Sequence, residues 1–341
     1  MENLCTGTLE EILKRLEVRD LIRCKSVCKS WLSLISSSVF IKSHLKHSYH
    51  SDRNNVNIAH KRIAISIHPD YLMYRCYKIG EQFFNFNDRY LLGSCNGLIC
   101  ISPRCNEVVV INPLTREARN VPNPQIPVTD FVCWGFGYDS IKDDYKIILG
   151  FRKGENCTRF QMFSLRSKVW KVIGEVNHAF ISTAGILCKG MLHWVAYNSL
   201  SKQKDVIVSF HLMDEEFSKI RQPDDAYQFY FGRLRTSICL GIIEDCLCMF
   251  DPSFLPPCKV WAMKDFKKQS WEVVGDVREN GYDAVHGIRL LTNYIQYEGP
   301  LIYETLYCHS RAFLWGPLYV ESLVSPHSLE TEEEEASNEE S

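Results

Sequence analysis

Apolar side chains recur at helical spacing twice within the first forty-five residues. Leu9, Ile12, Leu13 and Leu16 occupy the i, i+3, i+4 and i+7 positions of one helix face. Leu21, Cys24, Cys28 and Trp31 predict a second face immediately afterwards. Thr8 with Glu11 three residues on predicts a capping box for the first helix, and Asp20 an N-cap for the second. A third helix is predicted from Ser36 to Ser38 onward, carrying Phe40, Ile41 and Leu45 inward, before a polar stretch that reads as a linker over 46–57. So short a helical segment buries little surface by itself, so its apolar faces must meet either the rest of the chain or another protein.

Beyond the linker the periodicity changes. Short runs of branched and aromatic residues, broken by Gly, Asn and Asp, predict strands. Strand-like runs centred on Ile65, Ile111, Phe163, Phe210, Trp261 and Tyr307 follow one another at steps of 46 to 52 residues. Several strands per step of about fifty residues predict stacked propeller blades, about six of them. Within the units, Cys95-Asn96-Gly97-Leu98 predicts a tight hairpin, and Lys189-Gly190 and Glu244-Asp245 hold comparable places. Trp170, Phe217 and Trp271 follow polar turns as packing aromatics.

The chain has 341 residues, 45% of them hydrophobic, which is enough for a large core and more than one folding unit. Thirty-nine basic and forty-one acidic residues give a net charge of −2, with no broad positive field for nucleic acid or an anionic membrane. Glu2, Glu10 and Glu11 interrupt the N-terminus where a secretory signal would be apolar, so a soluble protein of the cytoplasm, the nucleus or both is expected. The fifteen cysteines are scattered through apolar strings, as in Cys246-Leu247-Cys248, and read as reduced, packed thiols. Cys95, Cys100 and Cys105 lack the paired spacing of a zinc site, and the sequon Asn156-Cys157-Thr158 reads as unmodified. From Glu330 the chain is Glu, Ser, Thr, Asn and Ala, which predicts a solvated acidic tail.

Several strings carry a family resemblance. Leu4, Glu11-Ile12-Leu13, Arg15-Leu16, Val18, Leu21-Ile22-Arg23, Val27-Cys28-Lys29-Ser30-Trp31 and Leu34-Ile35-Ser36 resemble the F-box motif of plant F-box proteins. Further on, Gly93 to Leu98, Ile111 to Arg116, Gly135-Phe136-Gly137-Tyr138-Asp139, Asp144-Tyr145-Lys146, Leu192-His193-Trp194, Asp214 to Phe217, Trp261 to Lys264 and Tyr319 to Leu323 resemble the kelch-like F-box-associated domain. The resemblance implies an α+β chain of two domains: an F-box over 1–45, the linker, an all-β propeller-like domain over 58–325, and the tail over 326–341. It also implies a substrate-recognition subunit of an SCF-type ubiquitin ligase. The F-box would bind the ligase adaptor subunit, and through it the cullin, while the propeller holds an unidentified target protein. By position, Leu4, Leu9, Ile12, Leu13, Leu16, Val18, Leu21, Ile22, Val27 and Trp31 would divide between the module's core and the adaptor contact. The family's two usual prolines are replaced here by Cys5 and Glu17. Roles in pollen self-incompatibility, through a secreted ribonuclease, and in control of immune receptors both fall within the resemblance.

Motifs of other chemistry are incomplete or absent in the sequence. Gly135-Phe136-Gly137 starts a nucleotide-like glycine pattern, but Ser140 stands at the third glycine, so a blade turn is expected. There is no phosphate loop, nucleophile elbow or His-Glu-x-x-His pair. His193 beside Trp194 reads as a packed histidine. No catalytic residue, cofactor or metal is expected; the alternatives are a stand-alone propeller capped by its N-terminal helices and a propeller enzyme with His and acidic side chains in its central channel.

Overall fold

The computed structural model describes residues 6–54, 61–62, 64–67, 74–79, 82–87, 90–102, 107–124, 131–180, 182, 184–197, 206–223, 239–243, 245–250, 258–277, 293–295, 312–314 and 318–327. Helices α1 (Thr6–Leu13), α2 (Val18–Cys24), α3 (Lys29–Ser36) and α4 (Ser38–Asn54) precede a series of antiparallel sheets. No helix among the described residues is long and apolar enough to cross a membrane.

Among the described residues, four sheets are complete and follow one another along the chain. Blade I comprises Tyr90–Cys95, Leu98–Ser102, Val108–Asn112 and Glu117–Val121; blade II comprises Phe131–Asp139, Asp144–Gly154, Cys157–Ser164 and Val169–Val176. In blade III, Ala179–Phe180 and Ile186–Cys188 both pair with Met191–Tyr197, followed by Val206–His211 and Glu216–Ile220. Blade IV holds Cys239–Ile243, Cys246–Phe250, Cys258–Asp265 and Ser270–Val277. A three-stranded sheet (Ala64–Ile67, Tyr74–Ile79, Gln82–Asn87) comes before them, and a pair (Asn293–Ile295 with Ala312–Leu314) after. Lys61–Arg62 pairs with Leu318–Tyr319, joining the two ends of the β region.

The fifty-residue step has a structural meaning. Ile111, Phe163, Phe210 and Trp261 each sit on the third strand of their own blade. Ile65 lies on the strand Ala64–Ile67, and Tyr307 is outside the described residues.

Alternation along a strand sends successive side chains to opposite faces, and on inner strands such as Leu98–Ser102, Asp144–Gly154 and Met191–Tyr197 both faces are covered. On the second strand of blade II, Ile147, Leu149 and Phe151 enter the core shared with blade I, whose members include Leu92, Leu98 and Val110. Ile148 enters the core shared with blade III, with Leu192, Trp194, Val208 and Phe210. Blades III and IV meet through Val195, Ile207, Leu247, Met249 and Met263. The glycine string finds its reason here. A Cβ on Gly135 would lie 2.7 Å from Leu192 Cδ1, and one on Gly137 2.6 Å from Leu212 Cδ1, so these glycines let blade III approach closely.

Two classes of turn repeat around the ring. Asn96, Asp143, Lys189 and Asp245 have positive φ between first and second strands; Arg116, Lys168, Glu215 and Gln269 do so between third and fourth. In an up-and-down sheet both turns fall at the same edge, so all eight lie on one face of the propeller. Outer strands repeat as well: Trp170-Lys171-Val172-Ile173-Gly174 is matched by Trp271-Glu272-Val273-Val274-Gly275, with a bulge at Ile173 and at Val274. Each indole N–H reaches back to the carbonyl that follows the previous blade, Trp170 to Pro122 at 2.6 Å and Trp271 to Arg221 at 2.8 Å.

Blades II and III are also joined by a buried charge. Lys146, 1% exposed, donates to Asp139 Oδ2 at 2.8 Å, to Glu215 Oε1 at 2.9 Å and to the Leu212 carbonyl. Lys142 and Lys171 pair with the same glutamate. Burial by itself would raise the pKa of Glu215, but Lys171, Lys146 and Lys142 outweigh it and bring it down to about 2. Removing one partner of a buried pair strands the other, so Lys146→Met is expected to cost about 3–5 kcal/mol in chemical unfolding. The stabilisation from Glu215 is complete above its free value of 4.5 and is lost as pH falls toward about 2. Denaturant titrations across that window should show a shallower fall of stability with acid in Glu215→Gln than in the unmodified chain.

Candidate functional site

The helical module folds around Leu13, Val18, Leu21, Ile35 and Phe40, all buried. Its elements differ from the pattern-based expectation at three places. Helix α1 begins at Thr6, so Thr8 lies inside it, and Glu11 pairs with Lys14 at 3.0 Å instead of reaching back to a cap. The cap of α2 is Glu17, whose carbonyl accepts from the amides of Asp20 and Leu21 at 3.0 Å each; Asp20 sits in the first turn, paired with Arg23. The expected second helix is two helices. Ser26 donates its hydroxyl to the Arg23 carbonyl at 2.7 Å, and the amides of Ser26 and Val27 bond three residues back, which ends α2. Cys28, extended at φ −161° and ψ 166°, then opens α3. Leu21 and Trp31 still converge on one core, from separate helices.

The stretch expected as a linker is helical as far as Asn54. Lys46, His47 and Tyr49 lie on an exposed face of α4, while Phe40 and His44 on the same helix are buried. His44 ties α4 to the turn after α1, its Nε2 lying 2.9 Å from the Leu16 carbonyl, and burial lowers its pKa.

The sequence-selected residues separate by position. Leu13, Val18 and Leu21 are core; Leu9, Leu16, Ile22 and Trp31 are half-buried against it; Leu4, with Cys5, is outside the described residues. Ile12 and Val27 stand out in solvent at 49% and 63% exposure. The pattern missed two more, Leu32 at 46% and Val39 at 74%. Their signal was present in the chain, since both are apolar residues that break the inward stripe of their helices.

One side of the module is committed to the propeller. Ile41 and Leu45 pack on the core between blades I and II, and Leu323 and Leu114 join the core of the helices. Lys42 Nζ pairs with Asp143 Oδ2 at 2.6 Å, Tyr138 donates to the other oxygen of Asp143, and Tyr49 donates to Asn96 Oδ1 at 3.2 Å. Leu114, Asn96 and Asp143 all belong to first-to-second or third-to-fourth strand turns, so the helices sit on the turn-bearing face. The opposite face carries second-to-third strand connections such as the turn between Gly154 and Cys157, together with the links between blades.

His193 is buried on blade III with Nδ1 2.7 Å from Ser209 Oγ, and burial pushes its pKa down to about 4. Cys100 packs between blades I and II, burial pushes the Cys95 thiol up to about 12, and Cys105 lies outside the described residues. Thr158 of the sequon is buried and donates to the His178 carbonyl at 3.0 Å. The acidic tail beyond His327 lies outside the described residues.

Comparison with known proteins matches residues 1–43 to the F-box domain and residues 56–315 to the F-box associated beta propeller domain. An Arabidopsis thaliana F-box/kelch-repeat protein is 28% identical over 293 residues, covering 79% of this chain and 78% of that protein. The F-box protein CPR1 of Arabidopsis thaliana is 26% identical over 319 residues, covering 82% of this chain and 74% of that protein.

Glu17 has φ −65°, the angle proline adopts, and its amide donates none of the described backbone hydrogen bonds. Glu17→Pro should therefore stabilise the turn, by about 0.4–1 kcal/mol through the unfolded chain, seen as a raised midpoint in thermal unfolding.

Proposed function

The chain belongs to the F-box proteins that carry an F-box associated beta propeller domain, and on that premise we propose that it recruits a target protein to an SCF-type ubiquitin ligase in the cytoplasm, the nucleus or both. The observation that carries this reading is the division of the helical module. One side is packed on blades I and II, while Ile12, Val27, Leu32 and Val39 remain in solvent. Exposed apolar side chains on a small module are what a protein partner would cover, and the F-box match makes that partner the ligase adaptor subunit, with the cullin beyond it.

The ten residues selected from the sequence then have different roles. Leu13, Val18 and Leu21 would hold the helices together, and Ile12 and Val27 would touch the adaptor, joined by Leu32 and Val39. The chain itself does no bond chemistry in this reading. It raises the local concentration of a target lysine near the transferring enzyme, to about millimolar where the geometry allows. Because the helices occupy the turn-bearing face, the target is assigned to the opposite face, where the connections between second and third strands are free to vary. Recognition of a ribonuclease in self-incompatibility is one form the target could take.

The packing of α4 on the propeller also favours the second reading, a stand-alone binding propeller with a helical cap. Co-purification of the unmodified chain with an adaptor subunit separates the two. Ile12→Asp and Val27→Asp should each weaken that association about tenfold or more with the fold intact, because both side chains are already in solvent. Absence of any association in the unmodified chain, or full association in the double variant, would remove the ligase reading. Leu13 is unsuitable for this test because it is core.

A further inference from the structure

The helical module is completed by the far end of the chain. Leu323 is buried in the same cluster as Leu13, Val18, Leu21, Ile35 and Phe40, and Arg19 lies 3.9 Å from Glu321. The segment that delivers Leu323 is fastened to blade I along its length. Asn112 Nδ2 donates to the Ser322 and Val324 carbonyls at 3.0 and 2.7 Å. Ser322 Oγ donates to the Asn96 carbonyl at 2.6 Å, and Arg119 Nη1 to the Pro326 carbonyl at 3.0 Å. Val324 enters the core between blades I and II. Gly97 leaves room for this strap, since a Cβ there would lie 2.2 Å from Ser322 Oγ. Immediately before the strap, Leu318–Tyr319 pairs with Lys61–Arg62, so the strap lies next to the place where the two ends of the β region come together.

Order of synthesis gives this arrangement a consequence. Leu323 is made about 280 residues after Phe40, a delay of roughly 15–60 s at ordinary elongation rates. Throughout that time the helices lack one of their buried side chains and the wall it stands on. We propose that residues 320–326 act as a folding gate: the helical module takes its docking-competent form only in chains whose propeller has closed. Resting on the ligase reading above, the gate would keep unfinished or C-terminally truncated chains, which hold no target site, from occupying the ligase adaptor.

The test compares three full-length chains, the unmodified protein, Leu323→Ala and Asn112→Ala, by amide hydrogen exchange and by titration with purified adaptor subunit. Leu323→Ala removes the shared side chain. Asn112→Ala removes two of the strap's hydrogen bonds to blade I, together with the bonds from Asn112 Oδ1 to the Leu114 and Thr115 amides, without altering any residue of the helices. Both should speed exchange in α1–α3 about tenfold or more and weaken adaptor binding about tenfold, while strands 144–154 and 191–197 of blades II and III keep their protection. Unchanged exchange in α1–α3 in both variants, or accelerated exchange with full adaptor affinity, would overturn the gate. Should the unmodified chain bind no adaptor, the ligase reading falls separately. The exchange arm then still decides whether strap and helices are coupled.

Discussion

A sheet with apolar residues on both faces has no stable existence as a single layer, and that constraint governs this molecule. Strand 144–154 sends Ile147, Leu149 and Phe151 one way and Ile148 the other, so blade II needs covering by blades I and III at once. The rest of the architecture answers that demand. Gly135 and Gly137 bring blade III close enough to interlock, and Trp170 and Trp271 fasten each outer strand to the chain leaving the previous blade. Lys146 crosses from blade II to the Leu212 carbonyl and Glu215 of blade III, with its charge met by Asp139 on its own blade. A buried ammonium costs desolvation, which only partners placed at hydrogen-bond distance offset, so it also sets the relative position of the two blades.

The helices obey the same rule. Four short helices enclose too small a core to be complete, and they use Leu323 and Leu114 of the β region to finish it. What makes the module dependent also gives it a fixed place. The Lys42–Asp143 pair, the Tyr49–Asn96 bond and the packing of Ile41 and Leu45 hold it on the turn-bearing face. On the ligase reading proposed above, such a seat fixes which way the opposite face points. Closeness has catalytic value only when both ends of the arrangement are held.

Much of this was legible along the chain. The helical stripe of Leu9, Ile12, Leu13 and Leu16 marked a module in need of partners, and the fifty-residue step placed Ile111, Phe163, Phe210 and Trp261 on equivalent strands, because periodicity is a local property of the backbone. The repeat from Trp170 to Gly174 and from Trp271 to Gly275 was equally open to reading, since both segments hold the same bulged register on the third strand of their own blade. Helix ends were less legible. The break between α2 and α3 depends on the Ser26 hydroxyl choosing the Arg23 carbonyl, and a polar run such as 46–54 reads alike as a loop or as the wet side of a helix.

Composition, spacing and periodicity by themselves determined that a helical module precedes a ring of repeated sheets, and that the chain lacks the motifs of phosphate and metal-hydrolase chemistry. Which apolar residues are core and which are surface was set by packing in three dimensions. Ile12 and Leu13 are neighbours of nearly equal hydrophobicity, yet one is half exposed and the other buried, according to which side of α1 meets α2, α4 and Leu323. Contacts between residues almost three hundred positions apart leave no periodic trace. Leu323 therefore reads as one more apolar residue near the end of the chain until folding brings it beneath the first helices.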